Sequence, residues 1–238
     1  MNMEMTAKDG DMAVKRGDLI IVVDALRCTS SIVTALSNNA KAVIPTRSLK
    51  GALYLKRNNP EYLTAGERGG LKPRGFDFGN SPLEFTCDRV CGKTLIFSTT
   101  SGTLALTNVK DAPWILLGSF LNASAAASKS FQIAYSNGLN ITILLSGSQG
   151  RFSLEDFLCG GAIVKRLSKM GVNLSDAAFA ALLSFERAES NLLEHVMRGA
   201  HAKKLAGIGF KKDVEFSCQL DIFDTVPFYK EGVIKLLI

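Results

Sequence analysis

Residues 19–29, Leu-Ile-Ile-Val-Val-Asp-Ala-Leu-Arg-Cys-Thr, decide the fold: five β-prone apolar residues end on a carboxylate and lead into a helical pattern. The arrangement recurs at 141–156, where Ile-Thr-Ile-Leu-Leu (141–145) passes through a glycine-bearing turn to Ser153-Leu154-Glu155-Asp156. A parallel α/β sheet presents its chemistry at the carboxyl ends of its strands. Two acidic turns after two such strands therefore point to an enzyme whose carboxylates and glycine loops converge on one edge of a sheet.

Working outward, strand-like runs fall at 19–23, 42–46, 94–98, 114–117 and 141–145, and helix-like segments at 29–37, 122–134, 153–169, 173–190 and 190–206. The alternation predicts an α/β fold of three layers, α/β/α, with helices on both faces of a mixed or largely parallel sheet. Residues 1–17 read as an N-terminal lead or edge strand and 18–238 as one catalytic unit; if the unit divides into two α/β halves, the seam falls near 110–118, at Lys110-Asp-Ala-Pro113. The stretch Gly66–Asn80 is too rich in glycine for a helix or central strand. Long loops inside enzymes are usually functional, which makes Glu67, Arg68 and Asp77 candidates for the site.

Composition narrows the partners. With 47% hydrophobic and 21% charged residues the chain has the balance of a globular protein. Its apolar runs fall far short of the roughly 20 residues a membrane span needs, and residues 1–18 lack the apolar core of a secretory signal. A cytoplasmic protein without a membrane partner is expected. Five scattered cysteines read as free thiols, and Cys87-x3-Cys91 lacks the second ligand pair of a zinc site. The net charge of +6 comes from short basic pairs without aromatic interleaving, which argues against nucleic acid and suits a small anionic substrate. Homo-oligomerisation is left open.

The acidic turns each support two readings. Asp24, three residues before Arg27, can hold a divalent cation while the guanidinium fork takes a phosphate or sulfonate; equally, Asp24 can cap the following helix and pair with Arg27. Ser153 and Asp156 fit a capping box in which Asp156 reaches back to the helix start. That leaves unexplained why Glu155 and Asp156 stand together beside the Gly147–Gly150 turn, an arrangement that suits Mg²⁺, which takes one or two carboxylates plus waters and phosphate oxygens. Thr99, Thr100, Ser101 and Thr103 around Gly102 form either an anion-binding nest or an ordinary turn, and Gly118-Ser119 repeats the arrangement. His195 and His201, six apart, do not share a helix face, so neither is a metal or nucleophile candidate. Cys28 reads as a small packed residue.

Taken together, Asp-Ala-Leu-Arg-Cys-Thr (24–29), Gly-Glu-Arg (66–68), Gly-Phe-Asp-Phe-Gly-Asn-Ser-Pro-Leu-Glu (75–84), Thr-Thr-Ser-Gly-Thr (99–103), Gly-Ser-Phe-Leu-Asn (118–122) and Gly-x2-Gly-x2-Phe-Ser-Leu-Glu-Asp (147–156) resemble the 2-phosphosulfolactate phosphatase family. A weaker match runs through Asp213-Val and Val226-Pro. The resemblance implies a Mg²⁺-dependent phosphatase that hydrolyses the phosphate ester of a 2-hydroxy acid carrying a sulfonate or carboxylate, a step on a route to coenzyme M. It implies that Asp24, Glu67, Asp77, Glu155 and Asp156 divide metal binding and water activation among them, with Asp24, Arg27, Glu155 and Asp156 catalytic. It further implies that Arg27, Arg68, Asn80, Thr100, Gly102, Thr103 and Ser119 contact the phosphate and acid groups. Ser101 stands where the family usually carries Asn, and Arg27-Cys28-Thr29-Ser30 where it usually reads Arg-Ala-Thr-Thr. Direct attack by water is the expected mechanism, with Asp24 the residue that would serve as a nucleophile instead. A non-catalytic sensor of a small phosphorylated metabolite is the rival reading; it would need the loops and arginines without metal-positioning acids.

Overall fold

Every residue of 19–23 is buried, and the side chains divide by parity: Leu19, Ile21 and Val23 enter one apolar layer, Ile20 and Val22 the other. A strand covered on both faces has no solvent side to make polar, so it reads as an unbroken apolar run. In the computed structural model, which describes residues 1–237, this strand is β2 (Leu19–Val23) of a nine-stranded sheet. The others are β1 (Asn2–Glu4), β3 (Ala42–Pro45), β4 (Leu63–Gly66), β5 (Thr94–Ser98), β6 (Trp114–Gly118), β7 (Ile141–Leu145), β8 (Pro227–Lys230) and β9 (Val233–Leu236). Their order is β1-β7-β2-β6-β8-β9-β3-β5-β4. All neighbours are parallel except around the β8–β9 hairpin, which is inserted antiparallel between β6 and β3.

Helices cover both faces, giving the expected three layers. Helices Ala123–Asn137, Leu154–Ser168 and Asp176–Ala188 pack on the face of Ile21, and Gly10–Arg16, Cys28–Ser37 and Gly102–Asn108 on the face of Ile20. The five strands read from sequence are all present. Three further elements had weaker signals. β1 is three residues of the lead, at the sheet edge beside β7. β4 is four residues, two of them alanine and glycine. The β8–β9 hairpin turns at Glu231 and Gly232, whose φ values of 51° and 83° are those of a tight two-residue turn. The helical pattern at 190–206 is broken into Leu192–Met197 and Ala200–Gly207, with Gly199 between them in extended conformation.

Helix 154–168 carries Gly160 and Gly161 in mid-helix, where each costs about 1 kcal/mol against alanine. Close packing accounts for them. A Cβ at Gly161 would lie 2.1 Å from the carbonyl oxygen of Ala181, and one at Gly160 would lie 2.8 Å from the Met3 side chain. The two glycines let the helix sink onto the sheet while helix 176–188 lies against its outer side. Gly161→Ala should therefore lower stability by about 1–3 kcal/mol in denaturant titration. Gly207→Ala, at a helical position with nothing within 4 Å, should leave it unchanged or slightly raised.

Candidate active site

The carboxyl ends of β2, β4, β5 and β7 open onto a cavity of about 280 Å³. Its walls come from five places: the Asp24–Arg27 turn, the loop 67–80, the Thr100–Ser101 turn, the Gly147–Gln149 turn with the start of helix 154–168, and the helix Ala200–Gly207. The strands place these turns side by side, since β7, β2 and β6 are in register and β4 runs parallel to β5.

Asp156 holds the floor. One carboxylate oxygen accepts the Ala25 amide at 2.8 Å and the other the Gly147 amide at 3.0 Å, so one buried side chain ties the turn after β2 to the turn after β7. Ser153 caps the helix, accepting from the Asp156 amide at 3.5 Å. The reciprocal half of the expected capping box is replaced by these two tertiary bonds. Glu67 does the same for the other wall: it accepts the Thr100 amide and the Gly70 amide, each at 2.8 Å. Burial would raise its pKa, but those amides, with the Thr100 hydroxyl and Arg68, hold it below the usual carboxylate range.

Asp24 and Glu155 are different. Asp24 accepts the Cys28 amide at 3.1 Å through Oδ1, and among the described residues no donor engages Oδ2. Nor does any engage the Glu155 carboxylate, although that residue is only 2% exposed and lines the cavity. Burial, then repulsion from Glu67 and Glu155, lifts the Asp24 pKa to about 7 against the pull of the Cys28 amide and Arg27. Burial together with Asp24 and Glu155 likewise pushes Asp156 well above the carboxylate range, opposed by its two amides. Asn80 also lines the cavity, with its side-chain oxygen buried and unpaired.

Arg27 is 2% exposed and firmly held. It donates to Asp213 at 2.6 Å and to the Gly70 carbonyl at 2.5 Å, and its guanidinium lies 4.3 Å from the Phe210 ring centroid. Ser81 donates to the other Asp213 oxygen at 2.7 Å. Cys28 packs beneath Gly102: a Cβ on that glycine would sit 2.5 Å from the Cys28 sulfur and 2.8 Å from Asp24 Oδ2. Burial pushes the Cys28 thiol pKa well up, in keeping with a packed residue and not a thiolate.

Of the residues singled out from sequence, the fold brings Asp24, Arg27, Glu67, Asn80, Thr100, Glu155 and Asp156 to the cavity wall. Five others lie elsewhere. Asp77 is turned to Thr64, accepting its amide at 2.7 Å and its hydroxyl at 2.9 Å, beside Lys56. Arg68 donates to the Ser98 carbonyl and hydroxyl. Thr103 donates to the Thr99 carbonyl from a buried helix start. Ser119 donates to Asn122 in a buried capping box. Gly102 serves close packing. Asp77, Arg68 and Thr103 are taken by nearby backbone groups and Ser119 by the Asn122 side chain, in place of the ligand that sequence spacing offered. The Gly147–Gln149 turn singled out from sequence also lines the wall; His201 and Lys204 are wall elements that sequence reasoning missed. His195, six residues away, is on another face; the residue that shares the His201 face is Lys204, three residues on.

Four carboxylates at the carboxyl edge of a parallel sheet, two fixing loops and two facing a cavity, define an α/β enzyme with its site at the strand ends. Comparison with known proteins gives the family. The sequence model described as 2-phosphosulpholactate phosphatase matches residues 5–232. Over 218 residues, 91% of both chains, the protein is 44% identical to a "Probable 2-phosphosulfolactate phosphatase" of Thermotoga petrophila and 43% identical to one of Thermotoga maritima. A protein of the same name from Caldanaerobacter subterraneus subsp. tengcongensis is 39% identical over 219 residues, covering 91% of this chain and 89% of its own. The chain belongs to the 2-phosphosulfolactate phosphatase family, a family of phosphoric monoester hydrolases. Within the described residues no helix is long and apolar enough to cross a membrane.

Two predictions follow the geometry. In metal-free protein the folded Asp24 keeps its proton to about pH 7, whereas the unfolded chain releases it near 3.8. Its contribution is thus fully present below pH 3.8 and lost as pH rises through 7. Asp24→Asn should raise the melting temperature at pH 8 by roughly 2–6 °C and change it little at pH 4. Asp156→Asn leaves one buried amide without its carboxylate acceptor and should cost about 1–3 kcal/mol in denaturant titration.

Proposed function

We propose that the protein hydrolyses the phosphate ester of a small 2-hydroxy acid bearing a second acidic group, 2-phosphosulfolactate in the first instance, to the hydroxy acid and phosphate, and that it does so with Mg²⁺ in the cytoplasm, on the coenzyme M type of route. The observation that carries this reading is the pair Asp24 and Glu155: two buried carboxylates, the first with its pKa raised by burial and then by repulsion from Glu67 and Glu155, each with an oxygen that no donor among the described residues engages. Such a pair favours a cation between or beside it.

The donor set suits a hard cation. Among the described residues no group of three or more His, Cys, Asp or Glu side chains could hold a metal ion by itself. Mg²⁺ does not require one, since it keeps several waters and binds through one or two carboxylates plus phosphate oxygens. Asp24 and Glu155 would hold it, and Asp156 and Glu67, with both oxygens committed to amides, would keep the loops in place around it. When bound, Mg²⁺ neutralises phosphoryl charge and lowers the pKa of a ligated water.

The protein's own groups then have separable tasks. Asn80 offers an unpaired buried oxygen to a hydroxyl or water in the cavity. Arg27 keeps donors beyond those used on Asp213 and Gly70, and presents its charge to the phosphoryl oxygens from a rigid mount. The fixed loops pre-orient substrate and water, so little reorganisation is needed at the moment of attack.

Phosphate release from 2-phosphosulfolactate should stop in EDTA and return with Mg²⁺; undiminished turnover in chelator would overturn the metal assignment. Glu155→Gln should lower kcat by roughly 100-fold or more while the metal-free melting temperature holds or rises, because no hydrogen bond is lost. An active Glu155→Gln enzyme would remove the residue from the mechanism.

A further inference from the structure

We infer that Lys204 is the residue that recognises the substrate's second acidic group, and so sets the preference for diacid phosphate esters over neutral ones. The inference rests on the substrate class proposed above. It starts from the charges around the cavity. The wall carries Asp24, Glu67, Glu155 and Asp156 against Arg27 and Lys204. Arg27 is paired with Asp213 at 2.6 Å, has the ring of Phe210 over its face, and its remaining donors are assigned above to the phosphoryl oxygens. Among the described residues Lys204 has no carboxylate within ion-pairing distance; Lys211, next along this region, pairs with Glu215 instead. Lys204 is therefore the cavity cation whose charge no protein group neutralises.

With its phosphate at the Asp24 and Glu155 end, such a substrate must still place a carboxylate and a second acid group in a cavity rich in carboxylates, and the second group needs a cation to receive it. Lys204 stands on helix 200–207, which no sheet strand feeds directly and which starts beside Glu155: a Cβ on Gly199, just before the helix, would lie 3.2 Å from a Glu155 carboxylate oxygen. That helix is nonetheless fixed relative to the reacting end. His201, one turn before Lys204 on the same face, meets the Leu26 carbonyl through Nε2 at 3.0 Å. A carbonyl can only accept, so Nε2 carries the proton. Leu205, on the next turn, is buried in the core and also lines the cavity. The ammonium thus swings on a flexible stem from a helix held at a set distance from the Asp24 turn. It offers a point charge with three donors, suited to the round array of oxygens on a sulfonate as well as to a carboxylate.

The test compares kcat/KM for 2-phosphosulfolactate with that for a neutral ester, glycerol 2-phosphate, in wild type, Lys204→Ala and Lys204→Arg, all with Mg²⁺. The diacid-to-neutral ratio should fall at least tenfold in Lys204→Ala and stay within about threefold of wild type in Lys204→Arg. A folding defect lowers both rates and cancels in the ratio. A ratio unmoved by Lys204→Ala overturns the inference. Calorimetric binding of sulfolactate to the same proteins separates this from the proposed reaction. If wild type hydrolyses neither ester, the reaction falls, yet sulfolactate binding that weakens at least tenfold in Lys204→Ala upholds the lysine's role. Equal binding by the two proteins overturns it.

Discussion

The carboxylate of Asp156 is the fixed point of the structure. Two strands placed side by side in parallel leave their following turns free to diverge, and nothing in the ladder between β2 and β7 determines how far. By accepting the amide of Ala25 and the amide of Gly147 with its two oxygens, Asp156 sets that separation. Asp24 and Glu155, each adjacent in sequence to a part of this clasp, are carried into facing positions. Glu67 performs the corresponding task across β4 and β5. Half the acids of the site are thus mechanical, and their burial is compensated by backbone donors that would otherwise have no acceptor.

The second constraint is the buried ion pair of Arg27 and Asp213. A pair this enclosed contributes little net stability, because the cost of removing both charges from water is about as large as their attraction. Its value lies in geometry. Together with Ser81 and the Gly70 carbonyl it joins the β2 turn, the glycine-rich loop and the helix Lys211–Ser217 at one point. The loop 67–80, which would otherwise wander, is thereby fitted to the cavity it lines.

The layers and the five main strands were legible in the sequence because burial on both faces leaves an apolar run with turn residues at its ends. The hairpin β8–β9 was not. Its strands are four residues each and mix Lys230 and Lys235 with apolar neighbours, so its place in the middle of the sheet follows from tertiary pairing. Within the site, residue type and strand-end position located the acids but could not assign them. Asp77 and Glu155 look alike in sequence; one has Thr64 within reach and the other has none. Lys204 and His201 were hidden for a further reason: they come from a helix beyond the last parallel strand, where strand-end logic has nothing to say.

The central position of the β8–β9 hairpin sets the order in which the molecule can be completed. β1, β7, β2 and β6 form one parallel block, and β3, β5 and β4 another; among the described residues the hydrogen-bonded ladder joins them only through residues 227–236. The cavity draws Asp24 and Glu155 from the first block and Glu67, Asn80 and Thr100 from beside the second. On the ribosome both blocks emerge before the segment that stitches them together. A nascent chain therefore carries every acid of the site well before it carries a site, and the last seam to close is the one that brings the two sets of loops into a single chamber.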